Sequence, residues 1–330
     1  MTASAEEIVV RCTGLTKDYD AVTALDSLDL EIRRGQVFGY IGHNGAGKTT
    51  TIRILAGLLK PSSGRAEVCG IDVGKTNALK PLVGYMPDAF GVYDQMRVWE
   101  YLDFFGAAFK IPRRKRNNRV DEVLELTEGV AIRDRFVDTL SKGMKQRVGI
   151  ARTLMHDPRV LLLDEPASGL DPRARVHMRQ LLRRLANAGK TLIVSSHILP
   201  ELAAICDCVG ILHAGSLRAF GPLDTVLGQI ERDRLMEVKV LGHRPTAAIL
   251  LKTFGTIAKI EPSDIEPAVL RFRFSGKDSD MVKIIGALNG SGARVAAMRE
   301  VPLSLEDAYM AISGVDTEAE ANDENTGDDA

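Results

Sequence analysis

Short apolar runs separated by glycine and aspartate fill the first forty residues, a pattern typical of β-strands. The predicted strands lie at residues 8–10, 28–32 and 37–41. A glycine-rich turn follows, and residues 49–59 then have the apolar spacing of an α-helix. Two further strands, at residues 66–68 and 82–85, are predicted to pair with each other. The amino-terminal part therefore consists mainly of strands, with one early helix.

The pattern becomes helical between residues 98 and 156 and then changes again. Two sets of apolar residues, within 101–109 and 120–126, repeat at helical spacing. Beyond Pro158, a strand at 160–163 is followed by a helix at 174–188 and a strand at 191–195. Such alternation predicts a parallel sheet covered by helices. The predicted fold class is therefore α/β, with a helical insert at about 88–156.

A smaller α+β domain is predicted after Gly221 and Pro222. Its strand candidates are residues 236–241, 256–260, 269–274 and 294–298, and its helix candidates are 247–253, 280–288 and 305–312. The last fifteen residues contain seven acidic residues and no basic one. They have too few apolar side chains to form a core. The predicted domains are thus 1–221, 222–315 and a disordered acidic tail, 316–330.

Composition narrows the class of protein without identifying it. A chain of 330 residues suits two domains, and 45% hydrophobic with 26% charged residues is ordinary for globular proteins. A net charge of −1 argues against bulk nucleic-acid binding. Four cysteines without a C-x-x-C pair suggest a reducing, cytosolic environment. No apolar run approaches the roughly 18 residues of a membrane span, so any transport role would need another chain.

Residues 42–49 read GHNGAGKT and fit the phosphate-binding pattern G-x-x-x-x-G-K-[ST] between a predicted strand and a predicted helix. Gly45 and Gly47 let the backbone point its N–H groups at phosphate oxygens, beside a helix N-terminus. Lys48 would reach the β- and γ-phosphates, and Thr49 would offer a hydroxyl to Mg²⁺. The alternative is a plain glycine-rich turn. The predicted ATP cradle comprises Gly42, His43, Asn44, Gly45, Ala46, Gly47, Lys48, Thr49 and Thr50.

A second motif, VLLLDE at residues 160–165, is a predicted buried strand that ends in two acids. Asp164 would hold Mg²⁺ through water, and Glu165 would orient or activate an attacking water. Taken alone, an apolar strand that ends in acids is common. Following a phosphate-binding loop in the same α/β core, it indicates nucleotide hydrolysis.

Three more motifs carry a family resemblance. LSKGMKQR at 140–147, SGLD at 168–171 and SSH at 195–197 complete an ordered set with the two motifs above. The span from about residue 8 to residue 221 resembles the nucleotide-binding domain of ABC ATPases. In order, the motifs resemble that family's Walker A, signature, Walker B, D-loop and H-loop. The resemblance implies a P-loop core with a parallel sheet and an amino-terminal antiparallel β part.

The resemblance also implies roles for single residues. Tyr19 lies where the family stacks an aromatic ring on adenine. Ser141 and Gly143 would meet the γ-phosphate of ATP held by a second copy of the chain, from a helix N-terminus. Asp171 would act across that dimer interface. His197 is similar to the family's switch histidine, which contacts the γ-phosphate and holds the catalytic water beside Glu165.

Three positions depart from the family pattern. His43 replaces a proline that often follows the first P-loop glycine. Lys142 and Met144 stand where the commonest signature has glycine and glutamine, although Ser141 is kept. Asp88 in GYMPD falls where the family has a glutamine that touches Mg²⁺ and links ATP to the partner. The predicted metal ligands are therefore Thr49, Asp88 and Asp164.

Two functions remain open at this point. The first is the ATP-hydrolysing motor of a membrane transporter, peripheral on the cytoplasmic face, with a separately encoded permease and a second copy of itself as partners. The second is an ABC ATPase acting on nucleic acid or ribosomes, although one cassette without sustained heptads favours the first, and no nucleic acid is expected. SLEDAYMAISG at 304–314 is similar to the final helix of exporter ATPases for drugs, antibiotics or lipids. A heterodimer with another ATPase is the alternative to the homodimer.

Overall fold

The computed structural model describes residues 7–89, 91, 95–197, 199–228, 234–242, 244–262 and 268–301. Internal contacts divide the chain into two units, Met1–Leu223 and Asp224–Ala330. The predicted helix at 305–312 and the acidic tail at 316–330 lie outside the described residues.

The first unit contains the elements expected of an α/β core. In chain order they are β1 Ile8–Tyr19, β2 Val22–Arg33, β3 Val37–Ile41, α1 Lys48–Leu55, β4 Ser63–Val68, β5 Ile71–Asp72, α2 Thr76–Leu79, β6 Val83–Met86, α3 Val98–Ala108, α4 Arg113–Leu126, α5 Lys142–Leu154, β7 Val160–Asp164, α6 Pro172–Asn187, β8 Thr191–Ser196, α7 Leu199–Ala203, β9 Cys208–His213 and β10 Ser216–Pro222. Helix α8, Leu223–Gly228, begins at the last residue of this unit and otherwise belongs to the second. Helix α1 is shorter than predicted because Gly57 adopts a left-handed φ of +70° two residues after Leu55.

Two sheets organise this unit. An antiparallel sheet has the order β2-β1-β4-β5, and a six-stranded sheet has the order β10-β9-β3-β8-β7-β6. Strands β9, β3, β8, β7 and β6 are parallel, and β10 is antiparallel to β9. All five residues of β3 and of β7 are buried, as in parallel strands covered on both faces. The predicted α/β class and the antiparallel β part are confirmed.

One strand pairing was wrong. Strands β4 and β6 do not pair with each other, because β4 joins β1 in the antiparallel sheet and β6 joins β7 in the parallel sheet. The residues of β6 are mostly buried, as an edge strand covered by helices requires. The partner of β6 is therefore β7, a strand more than seventy residues later in the sequence, and not the nearby β4.

The helical insert consists of α3, α4 and α5, stabilised by arginines that bind neighbouring helices. Arg116 of α4 donates to Asp103 of α3 at 2.6 Å. Arg119 donates to the carbonyls of Leu154 and Met155 at the end of α5. Cations at a helix C-terminus satisfy carbonyls that have no partner inside the helix. Two of the basic residues in this insert therefore have structural partners.

The second unit is a small α+β domain with the element order βαββαβ. Its elements are β11 Arg234–Val240, α9 Arg244–Leu251, β12 Ile257–Pro262, β13 Val269–Phe274, α10 Asp278–Gly290 and β14 Val295–Glu300. The antiparallel sheet order β12-β13-β11-β14 is that of a ferredoxin-like fold. Apolar residues on one face, among them Phe272 and Phe274, form its core with the two helices. On β11, buried Glu237 is held by Arg271 and Arg299. The predicted α+β architecture is confirmed.

Among the residues that the structure describes, no helix is both long enough and apolar enough to cross a membrane.

Candidate functional site

The loop between β3 and α1 is shaped by glycines that no larger residue could replace. Gly45 and Gly47 have left-handed φ angles of +82° and +108°. A β-carbon on Gly47 would lie 2.4 Å from the carbonyl oxygen of Ala24, and one on Gly42 would lie 2.6 Å from that of Leu212. The loop therefore packs tightly on its neighbours while its backbone curls at the start of α1.

Lys48 is the buried cation of this loop. Its ammonium donates to the carbonyl oxygens of Gly42 at 2.5 Å and His43 at 3.1 Å, and the residue is only 6% exposed. Burial lowers the pKa of this ammonium, whereas the carboxylates of Glu165 and Asp164 favour its charged form. A cation held in this way inside a loop of backbone N–H groups is suited to binding an anion.

Asp164 lies at the carboxyl end of β7, where two hydroxyl groups bind the same carboxylate oxygen. Thr49 Oγ1 donates to Asp164 Oδ1 at 3.1 Å, and Ser195 Oγ donates to it at 2.7 Å. Asp164 is 2% exposed. The structure therefore brings together the P-loop threonine and the acid of the DE pair, as the motif order predicts.

Glu165 follows with a strained backbone and two close polar neighbours, a histidine and a lysine. Its φ of +49° lies in the left-handed region, which non-glycine residues seldom adopt. Its carboxylate lies 2.8 Å from His197 Nδ1 and 3.9 Å from Lys48 Nζ. Its backbone N–H donates to Ser195 Oγ at 3.0 Å. Lysine, glutamate and histidine thus converge at the carboxyl edge of the sheet.

The donor set of this site fits ATP with Mg²⁺. The curled loop and Lys48 offer donors for phosphates, and Thr49 with Asp164 offers oxygen ligands. Among the described residues, no group of three or more histidine, cysteine, aspartate or glutamate side chains could hold a metal. Mg²⁺ does not need such a cage, because it is usually bound through one or two carboxylates together with substrate phosphates.

Asp88 and Tyr19, two further predicted site residues, lie on exposed surface. Asp88 lies two residues beyond Met86, which pairs with Leu163 in the parallel ladder. Asp88 is therefore at the same sheet edge as Asp164. Tyr19 ends β1 with its ring 44% exposed and the Lys17 ammonium 5.1 Å from the ring centroid. Their predicted roles in metal and adenine binding remain predictions.

The signature and D-loop residues begin two helices. Ser141 is the N-cap of α5 and accepts a hydrogen bond from the Met144 backbone at 3.4 Å, and Gly143 lies in the first turn. Asp171 caps α6 by accepting from the Ala174 backbone at 2.9 Å. No described hydrogen bond or ion pair joins Ser141, Gly143 or Asp171 to the P-loop of their own chain. Their predicted role toward a second copy stays a prediction.

Sequence reasoning missed one residue of the site. Ser195, the first residue of the SSH motif, is fully buried and bonds both to Asp164 and to the Glu165 backbone. The available signal was the polar pair Ser195 and Ser196 at the end of an apolar strand candidate. The two serines alone do not show that Ser195 binds Asp164, because that contact follows only once β8 is known to pair with β7.

Comparisons with known proteins agree with this site. Residues 25–168 match the ABC transporter family. The bacitracin transport ATP-binding protein BcrA of Bacillus licheniformis is 39% identical over 309 residues, 93% of this chain and 97% of that protein. The linearmycin resistance ATP-binding protein LnrL of Bacillus subtilis (strain 168) is 30% identical over 262 residues, 78% of this chain and 83% of that protein.

A solved structure is also similar to this chain. CbiO1 from Clostridium perfringens, part of the ABC transporter complex CbiONQ, is 30% identical to this chain and superposes with a TM-score of 0.63. The match covers 68% of this chain and 93% of the CbiO1 chain. Similarity to these ABC transporter proteins accounts for both the fold and the order of the motifs. The chain belongs to the ABC transporter ATP-binding proteins and is an ATP-binding, ATP-hydrolysing subunit of such a transporter.

Proposed function

We propose that the chain is the motor of an ABC exporter for drug-, antibiotic- or lipid-like cargo, driving a separately encoded permease. Two observations support export. The match to the bacitracin transport protein extends over 93% of this chain, well beyond the cassette. A linearmycin resistance protein is a second relative. The chain itself would lie peripherally on the cytoplasmic face of the membrane, bound to its permease.

The observation that carries the catalytic proposal is the convergence on Glu165. Its carboxylate, next to His197 and Lys48, is placed to accept a proton from water that attacks the γ-phosphate. His197 holds the carboxylate in place through its Nδ1 contact. Lys48 and the N–H groups of the loop bind the β- and γ-phosphates and stabilise the charge that develops on them.

The metal would be Mg²⁺, held by Thr49 and Asp164. When bound, it supplies positive charge to the phosphates. Asp88 is proposed as a further contact at the same sheet edge, in place of the family's glutamine.

Hydrolysis is proposed to require two copies of the chain. Ser141 and Gly143 begin α5, so the partial positive charge of that helix N-terminus is available to an anion outside the chain. In a homodimer, ATP on one copy would meet Ser141 of the other copy, and Asp171 would lie at the same interface. Tyr19 would stack on the adenine.

The permease is proposed to dock at a cavity of about 630 Å³ beside the helical insert. Apolar residues such as Phe109, Ile111 and Met155 line it, with Lys80 and Lys115 also on its wall. Among the described residues, neither lysine has a carboxylate partner. The size and the mixture of apolar and charged groups suit a short protein segment with an acidic residue.

Reconstitution tests the function directly. Purified chain and its permease in vesicles should hydrolyse ATP faster than the chain alone, and vesicle-loaded antibiotic should move across the bilayer only with Mg-ATP. A Glu165→Gln variant is the matched control, since it keeps shape but removes the carboxylate. Stimulation by RNA or ribosomes, with none by the permease, would favour the soluble ABC ATPase instead.

A further inference from the structure

Ser195 occupies a buried position between the two acids of the site. It is the fifth residue of β8 and pairs with Asp164 in the parallel ladder between β7 and β8. Ser195 is fully buried, at 0% exposure, in a strand whose other residues are mainly apolar. A hydroxyl group in such a place is costly unless its hydrogen bonds are made.

Both hydrogen bonds of this hydroxyl go to the catalytic machinery. Ser195 Oγ donates its hydrogen to Asp164 Oδ1 at 2.7 Å and accepts the Glu165 backbone N–H at 3.0 Å. A serine hydroxyl has one hydrogen and two lone pairs, so the two bonds form simultaneously. One side chain on β8 therefore connects the carboxylate of one acid with the backbone of the next.

We propose that Ser195 is a positioning residue for ATP hydrolysis, setting the carboxylate of Asp164 and the backbone of Glu165. The proposal rests on the function proposed above. Ser195 acts only through the two acids.

The effect on Asp164 follows from counting lone pairs. Its Oδ1 receives hydrogens from both Ser195 and Thr49, which occupies the lone pairs of that oxygen. Oδ2 is then the oxygen left for Mg²⁺ or its water. Without the serine hydroxyl, the carboxylate could rotate and present either oxygen.

The effect on Glu165 follows from its backbone. A left-handed φ of +49° on glutamate persists only where neighbouring groups fix it. The bond from its N–H to Ser195 is such a restraint, directly before the side chain that meets His197. Replacement by alanine would leave the N–H without this partner and allow the carboxylate to shift, and small shifts at a reacting group are costly in rate.

The test compares Ser195→Ala with Ser195→Thr and Thr191→Val. Threonine keeps the hydroxyl and suits a strand. Thr191, at the other end of β8, is 1% exposed and accepts the Gly35 N–H at 2.9 Å, so Thr191→Val removes a comparable buried hydroxyl remote from the site. Steady-state ATPase kinetics, equilibrium ATP binding and thermal unfolding are measured for all four proteins.

The expected result is a split between rate and binding. Ser195→Ala lowers kcat about ten- to hundredfold, the range expected for losing hydrogen bonds to a charged group, while ATP affinity changes less than about threefold because the P-loop is untouched. Ser195→Thr restores most of kcat. Thr191→Val loses about as much thermal stability as Ser195→Ala, but its kcat is unchanged.

Two outcomes overturn the proposal, in distinguishable ways. If wild-type protein hydrolyses ATP and Ser195→Ala keeps its kcat, or falls no further than Thr191→Val, Ser195 is only a structural residue. If wild-type protein binds no ATP and hydrolyses none, the proposed function fails and the inference fails with it.

Discussion

At the carboxyl edge of the six-stranded sheet, the ammonium of Lys48 lies 3.9 Å from Glu165 and is bound mainly by backbone carbonyls. At the amino edge, Lys190 and Asp157 form a direct pair at 2.7 Å. The first lysine is buried in a strained loop, whereas the second neutralises a partner near the surface. The lysine at the carboxyl edge is therefore suited to binding an anionic ligand, whereas the lysine at the amino edge is neutralised by Asp157.

Left-handed backbone conformations occur at both edges, whereas the roles of the side-chain oxygens differ. Gly47 and Glu165 adopt left-handed φ angles at the carboxyl edge. At the amino edge, Asp207 and Thr191 accept the backbone N–H groups of Val37 and Gly35 and so stabilise strand beginnings. Ligands of open parallel sheets bind at the carboxyl ends of the strands. Asp157 and Gly189 at the amino edge also have left-handed φ angles, of +57° and +81°, so the carboxyl edge differs in its buried lysine and carboxylates and not in backbone strain.

Removing Lys48 should give the largest effect. Lys48→Ala deletes a cation that would lie near the phosphates, an interaction of up to about 4 kcal/mol at an effective dielectric of about 20. Turnover should fall below detection, and ATP affinity should drop at least tenfold in equilibrium binding. Lys190→Ala, at the amino edge, is the matched control and should keep both. Near-normal turnover of Lys48→Ala would contradict the assignment of the P-loop.

Reversing charge at the cavity should give a smaller effect than removing Lys48, and the effect should be confined to binding of the permease. Lys80 and Lys115 line it without a described carboxylate partner, so Lys80→Glu with Lys115→Glu should repel an acidic permease segment. Co-purification with the permease in detergent should fall about tenfold. Lys283→Glu, on α10 of the second unit, is the control for surface charge. Undiminished co-purification of the double variant would place the docking surface elsewhere.

The amino-edge ion pair should give the smallest effect, with a defined pH dependence. Lys190, followed by Arg119, lowers the pKa of Asp157. A lowered folded-state pKa means that the stabilisation is complete above the unfolded-state pKa and is lost as the pH falls. Because Asp157 is largely exposed, Asp157→Asn should cost only about 0.5 kcal/mol at pH 7. In urea unfolding, the gap from wild type should close below about pH 4. A gap independent of pH would contradict this.

Much of the fold could be predicted because it follows from local patterns. The continuous apolar runs of β3 and β7 indicate buried parallel strands, and the pattern of residues 42–49, between a strand and a helix, indicates a phosphate loop. The partner of β6 could not be predicted, since pairing between strands depends on contacts distant in sequence. Local propensity gives a strand but not its neighbour.

The site was predictable in its residue types and less so in its connections. The DE pair and the SSH motif indicate acids and a histidine, but the link through Ser195 depends on the register of β7 against β8. The left-handed backbone of Glu165 likewise depends on packing, because glutamate by itself does not favour that conformation. The cavity beside the insert is formed by residues 80–81, 108–122 and 155–157, which no sequence pattern groups together.

The proposed catalytic site closes only when two copies meet around ATP, and light scattering with Glu165→Gln tests this closure most directly. This nearly isosteric change keeps Lys48 and the P-loop but removes the carboxylate that activates water, so ATP should stay bound. With Mg-ATP the variant should shift from monomer to dimer, and adding Ser141→Arg should reverse the shift by filling the space of the opposing phosphate. A Glu165→Gln protein that binds Mg-ATP and remains monomeric would contradict the homodimer.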